Sequence, residues 1–212
     1  MVTLVPHLHA LVVTHGYLAV ALLIGLESLG IPLPGETILI TAAAVAGATH
    51  ELEIGWVIAA AVAGAVIGDT IGYIIGRTIG FRLLLRYGAR IGLSEPRLKV
   101  GRYLFMQHGG KVVFFGRFFS LLRTLTALMA GANKMPWPEF FFFNASGGIV
   151  WASVFGLGAY YFGQYIHRIS GPVGILLLLV GVIGLLAFWV FFRRNEAALI
   201  ARAEAALPGP LE

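Results

Sequence analysis

Cysteine is absent from this chain, which excludes a disulfide framework and any cysteine-ligated metal and leaves the redox compartment open. Charge is scarce. Asp, Glu, Lys and Arg make up 12% of the 212 residues, about half of the roughly 25% usual in soluble domains. No Lys or Arg occurs among residues 1–15. A cleavable secretory leader needs a positive n-region, so none is expected, and insertion should use the internal apolar segments. P-loop, GxGxxG, nucleophile-elbow and HExxH patterns are also missing. No cofactor or metal is expected, and His7, His9 and His15 read as interfacial polar residues.

Hydrophobic side chains form 58% of the chain, and the mean hydropathy is +0.88. A soluble fold of this size could not cover so much apolar surface, whereas a bilayer can. The net charge of +5 could suit nucleic acid. Its cations instead cluster beside apolar spans, where the positive-inside rule explains them better, and no nucleic-acid partner is expected. The expectation is one polytopic membrane domain over residues 1–212.

A transmembrane helix takes about 20 apolar residues. Residues 140–163, within a helix expected over 139–163, and 172–192 fit without interruption, and 54–76 fits with a single charge, Asp69. Two further segments are broken. Residues 16–49 carry Glu27 and then Gly30-Ile31-Pro32-Leu33-Pro34-Gly35-Glu36. Paired prolines and glycines there oppose a continuous helix. Each arm of about 13 residues reaches roughly 20 Å, too short to cross. Residues 112–134 carry Arg117 and Arg123 with no internal proline. Both segments read as re-entrant hairpins.

Sidedness follows from the basic residues. Residues 77–111 hold Arg77, Arg82, Arg86, Arg90, Arg97, Lys99, Arg102 and Lys111 against Glu95, and the tail 193–212 begins Arg193-Arg194. These belong in the cytoplasm. The connection carrying Glu51 and Glu53 has no Lys or Arg and belongs outside, with the N-terminus. Arg82, Arg86 and Arg90 share one helix face. With a helix start at Ser94-Glu95-Pro96, they predict two short interfacial helices against anionic headgroups.

The chain reads as two halves. Each is a broken hairpin ending Ala-Gly-Ala, at Ala46-Gly47-Ala48 and Ala130-Gly131-Ala132, followed by a spanning helix. Those helices end Tyr73-Ile74-Ile75-Gly76 and Tyr160-Tyr161-Phe162-Gly163. With hairpins opening to opposite sides, this predicts an inverted repeat, and the broken helices point to the binding site. Half one supplies the acids Glu27, Glu36 and Asp69; half two supplies Arg117 and Arg123. On one continuous helix the arginines would diverge, but flanking a break they can converge. A charge at a helix centre costs about 2.5–3.5 kcal/mol. These five therefore pair, meet water or are neutralised, either as a structural lock or as a substrate and proton site. Arginine's planar fork suits phosphate. Gly64, Gly68, Gly72, Gly76 and Gly80 form a ladder every fourth residue, read as tight helix packing, with a homodimer as the alternative. Trp137, Trp151 and Tyr160 fit an aromatic belt or helix packing.

Glu27, Pro32-Leu33-Pro34-Gly35-Glu36, then Gly68-Asp69-Thr70-Ile71-Gly72-Tyr73-Ile74-Ile75-Gly76, then Phe114-Phe115-Gly116-Arg117-Phe118 through Arg123 to Ala130-Gly131 and Met135 resemble the DedA family of VTT-domain membrane proteins. The resemblance covers roughly residues 15–165. The family usually places a proline between the arginines, where this chain has Ser120. The resemblance implies a flippase or scramblase for undecaprenyl phosphate or a phospholipid such as phosphatidylethanolamine, tied to the proton motive force. It also implies Arg117 and Arg123 as substrate-binding and Glu27, Glu36 and Asp69 as proton-coupling residues. Arginine outnumbers lysine, which points to a GC-rich bacterium and to its plasma membrane as the location. Other classes are a membrane-embedded lipid phosphatase and a non-transporting assembly factor.

Overall fold

The structure is a computed structural model that describes residues 4–31, 33–80, 95–118, 120–165 and 200–209, all helix, turn or coil. Its helices are α1 (Leu4–Ser28), α2 (Gly35–Thr49), α3 (Ile54–Ile79), α4 (Glu95–His108), α5 (Gly110–Gly116), α6 (Ser120–Ala132) and α7 (Trp137–Tyr165). Residues 200–206 are also helical. The expected span at 172–192 and the Arg82–Arg86–Arg90 face lie outside the described residues.

Two helices, Ile54–Ile79 and Trp137–Gly163, are long and apolar enough to cross a membrane. Large apolar side chains stand exposed along them, among them Trp56, Ile67, Phe142 and Val154, as lipid-facing surface does. Helix α1 is longer than sequence reading suggested: 25 residues, or about 38 Å. Its first turns carry Pro6, His7, His9 and His15, which lower local hydropathy and hid the helix start. By length alone this arm is not too short to cross.

Alongside α3, however, α1 ends near the middle of that helix. The Glu53 amide at the start of α3 donates to the Tyr17 hydroxyl at 2.8 Å, which sets Tyr17 level with that end of α3. The other end of α1 stops near the middle of α3, where a Cβ at Gly68 would lie 2.8 Å from Ser28 Cβ. The stop is a Schellman turn. Gly30 takes φ 108°, its amide bonds the Glu27 carbonyl at 3.0 Å, and the Ile31 amide bonds the Leu26 carbonyl at 3.2 Å. A left-handed residue at this position is the usual reason for glycine. Pro34 then caps α2, where its missing amide costs nothing. The turn between α1 and α2 thus lies beside the middle of α3.

The outer ends of α5 and α6 lie by the start of α7 and the end of α3. The Gly110 amide donates to Glu139 Oε1 in the first turn of α7 at 3.2 Å. Helix α6 ends beside Tyr73 and Arg77: the Tyr73 hydroxyl donates to the Met135 carbonyl at 2.5 Å and Arg77 Nη1 to the same carbonyl at 3.0 Å. Between these ends α5 stops at Gly116 and α6 starts at Ser120, so the break falls between Arg117 and Arg123.

The halves pack reciprocally. Helix α2 lies on α7 and α6 lies on α3, so each second arm packs on the long helix of the other half. A Cβ at Gly76 would collide with the Leu128 carbonyl, and one at Gly163 with the Ala44 carbonyl. Leu128 and Ala44 each precede an Ala-Gly-Ala end by two residues. Both second arms also stop at a non-glycine residue in the left-handed region, His50 and Lys134, each with φ 55°. The glycine ladder is a packing face: Gly64 and Gly68 receive the backbone of α1, and Gly76 receives α6. Gly80 leaves the face and ends α3 with φ 67°.

Apolar clusters fill the two ends. One joins Val20, Ile24, Leu39, Val57 and Trp151. The other joins Tyr73, Leu98, Phe105, Met129 and Phe140 and anchors α4. Because the chain has no cysteine, a single introduced one reports its side unambiguously. In intact cells, Glu51→Cys should react with an impermeant maleimide and Gln107→Cys only after permeabilisation. Labelling of both from the same side would refute the arrangement.

Candidate functional site

Between the two apolar clusters, at the level where both hairpins break, four charged side chains are buried. Glu27 sits in the last turn of α1. Asp69 lies mid-way along α3, facing the hairpins because the glycines on either side bring those backbones close. Arg117 immediately follows α5, and Arg123 lies in the first turns of α6. Asp69, Arg117 and Arg123 are 2–3% exposed and Glu27 is 8% exposed. An ionic group at that depth is tolerated when it is paired and hydrogen-bonded.

They are paired across the halves. Arg117 Nη2 forms an ion pair with Asp69 Oδ2, and Arg123 Nη2 forms one with Glu27 Oε2. The Glu27 carboxylate also takes a backbone hydrogen bond from Gly35 at the start of α2. A side chain at Gly35 would occupy the place of that carboxylate. Four of the five charged residues singled out from sequence therefore come together as two acid–base pairs with no net charge.

Glu36 is the exception. It lies in the first turn of α2, close enough to Glu27 for the two acids to repel. It is half-buried and makes no ion pair among the described residues. Its position at a helix N-terminus favours a carboxylate.

Sequence reading missed two members of the site, both on α7. Asn144 is fully buried, and its Oδ1 accepts a hydrogen bond from Arg117 Nη2. Of the two roles that the sequence allows Trp151, aromatic belt or packing, its position is that of packing. It is fully buried, with the Arg123 guanidinium carbon 5.1 Å from its ring centroid. The only sequence signal for Asn144 was a lone amide within an apolar span.

Several buried polar atoms here have no hydrogen-bond partner among the described residues: Ser28 Oγ, Asp69 Oδ1, Arg117 Nε and Nη1, Arg123 Nε and Trp151 Nε1. Leaving such an atom unmatched costs about 1–3 kcal/mol. Most are donors, so the site's unmet demand is for an acceptor. Beside it, an open apolar groove of about 290 Å³ runs between α2 and α7, lined by Ile40, Ala44, Val154, Phe155 and Phe162 among others. Phe155 joins groove to site, its ring 6.1 Å from that of Trp151.

Residues 33–165 match the family model described as the VTT domain. A membrane protein of Synechocystis is 42% identical over 72% of this chain and 69% of its own length. An alkaline phosphatase-like protein of Lactococcus lactis subsp. lactis is 30% identical over 85% of this chain and 88% of its own. Protein DedA of Escherichia coli K12 is 27% identical over 81% of this chain and 78% of its own. No solved structure matches.

Proposed function

Since the chain belongs to the VTT-domain family that includes protein DedA, we propose that it carries a phosphate-bearing lipid across a bacterial plasma membrane, with protons coupled to the movement. The observation that carries this reading is the pairing of two buried arginines with two buried carboxylates at the depth where both hairpins break. Intramembrane ionisable groups mark transport paths and proton relays by default. In this reading the half-depth hairpins are re-entrant and opposed, an inverted repeat with its site at the midplane.

The charge balance supplies the mechanism. With Glu27 and Asp69 in place, the arginines are already satisfied and the cluster is neutral. A lipid phosphate entering it adds negative charge to a low-dielectric site, which is unfavourable unless a carboxylate releases its arginine and takes up a proton. Each carboxylate therefore acts as a stand-in for the phosphate, and exchange of one for the other links lipid entry to protonation. The apolar groove beside Phe155 supports the same reading, since a lipid has a chain to place as well as a headgroup.

A second reading is a membrane-embedded phosphatase, favoured by the name of the Lactococcus relative. Proteoliposomes separate the two. Carrying undecaprenyl phosphate or phosphatidylethanolamine, they should show a headgroup moving from one leaflet to the other, faster with an imposed proton gradient. Inorganic phosphate released without lipid movement would favour the enzyme, and neither event with either lipid would refute transport. Glu36→Gln adds a further arm. It breaks no ion pair among the described residues, so abundance should stay at the parental level while gradient-driven transport falls. Parental transport in that variant would remove Glu36 from the relay.

A further inference from the structure

Each arginine has a second, uncharged support, and both supports come from α7. Asn144 and Trp151 are seven residues apart, close to two full turns, so they share one helix face. Gly148 lies between them on that face. A Cβ there would stand 3.2 Å from Arg117 Nη1, so its absence gives the guanidinium its place against the helix. The Asn144 amide is held in one orientation, because its Nδ2 donates to the Val66 carbonyl of α3 at 3.4 Å. That turns the amide oxygen towards Arg117. Trp151 offers its ring face to Arg123, a contact worth most where water is excluded.

We propose that the Asn144–Gly148–Trp151 face of α7 is the neutral half of the site, holding Arg117 and Arg123 in place when Asp69 and Glu27 let go. The inference rests on the phosphate-lipid reading and adds positioning residues to it. An arginine whose carboxylate leaves would otherwise swing to the nearest acceptor or to water. An amide oxygen or a ring face keeps it in position without competing for the phosphate, because neither carries the charge that a second carboxylate would.

A double-mutant cycle tests this without any substrate. In purified full-length protein, Trp151→Leu removes the ring face and Glu27→Gln imitates the released carboxylate. If Trp151 holds Arg123 once Glu27 lets go, the two losses overlap in function. The double variant should then fall below the sum of the single shifts in thermal midpoint by about 4 °C. Additive shifts would mean that Trp151 merely fills space, and would overturn the proposal. Trp151→Phe keeps a ring face and should show no such excess in the Glu27→Gln background; an excess equal to that of leucine would also overturn it. Should Trp151→Leu not be recovered folded, Asn144→Ser with Asp69→Asn forms the equivalent cycle at Arg117, judged by the same criterion.

Transport gives a second readout. Asn144→Asp places a second carboxylate on Arg117 that competes with phosphate, and should raise the KM for lipid roughly tenfold at parental abundance, whereas an unchanged KM would count against the proposal. Lipid transport by the parent protein with additive cycles would reject the role of α7 alone. A parent that moves no lipid, with cycles that remain non-additive, would reject the transport reading alone.

Discussion

Arg123→Lys is expected to cut lipid transport roughly ten- to a hundredfold, since a hydrogen bond to a charged group is worth about 1.5–3 kcal/mol. Lysine keeps the positive charge and so keeps the ion pair with Glu27. It loses the planar fork that can hold a carboxylate on one edge and a phosphate on the other. It also loses the flat cation that lies against Trp151. Arg123→Ala should abolish transport, but it strands Glu27 in a buried position, at a cost of about 3–5 kcal/mol. Protein abundance and lipid movement must therefore be measured in the same vesicles. Pairing Arg123→Ala with Glu27→Ala removes the stranded charge. That double variant should recover abundance and still transport nothing. Recovery of transport together with abundance would show that the pair is a structural lock.

Gly76→Ala and Gly163→Ala should each lower thermal stability by about 1–3 kcal/mol or more, the usual range for overpacking a close contact. A methyl group at either position meets the carbonyl of the opposite half, Leu128 or Ala44. Backbone cannot rotate away as a side chain can, so the helices must separate. The two contacts lie at opposite ends of the bundle and share no residue, so the double variant should show the sum of the two losses. Melting of purified protein in lipid nanodiscs checks this. Parental midpoints for both single variants would refute the reciprocal packing. Gly158→Ala is the control: no atom lies within 4 Å of its added Cβ, and its midpoint should hold or rise slightly, as alanine favours helix over glycine.

Much of this arrangement was legible in the residues. Gly30 and Pro34 announced the first break because they change what the backbone can do. The second break could be inferred from the six-residue spacing of Arg117 and Arg123, which converge only if the helix stops between them. The glycine ladder declared a packing face, though not which neighbours it receives. The start of α1 stayed hidden because Pro6 and three histidines dilute its apolar character. Asn144 and Trp151 stayed hidden for a different reason. Neither is charged, and a neutral residue in an apolar helix looks the same whether it meets lipid, core or an arginine. Sequence also could not say which acid meets which base. Glu36 has the same chemistry as Glu27, and only its place at the start of α2 keeps it out of the ion pairs.

The glycine contacts at Gly64, Gly68, Gly76 and Gly163 also have an entropic side. In a bilayer, helices gain nothing by hiding apolar surface from each other, since lipid tails are as apolar as leucine. A leucine-rich interface would also freeze rotamers, at about 0.5–1 kcal/mol for each side chain ordered. Glycine has no rotamer to lose. The helices that carry Glu27 and Asp69 are therefore joined backbone to backbone with no side-chain freedom given up. The freedom that remains in the polar layer belongs to the long arginine side chains, which are the groups that must change partners.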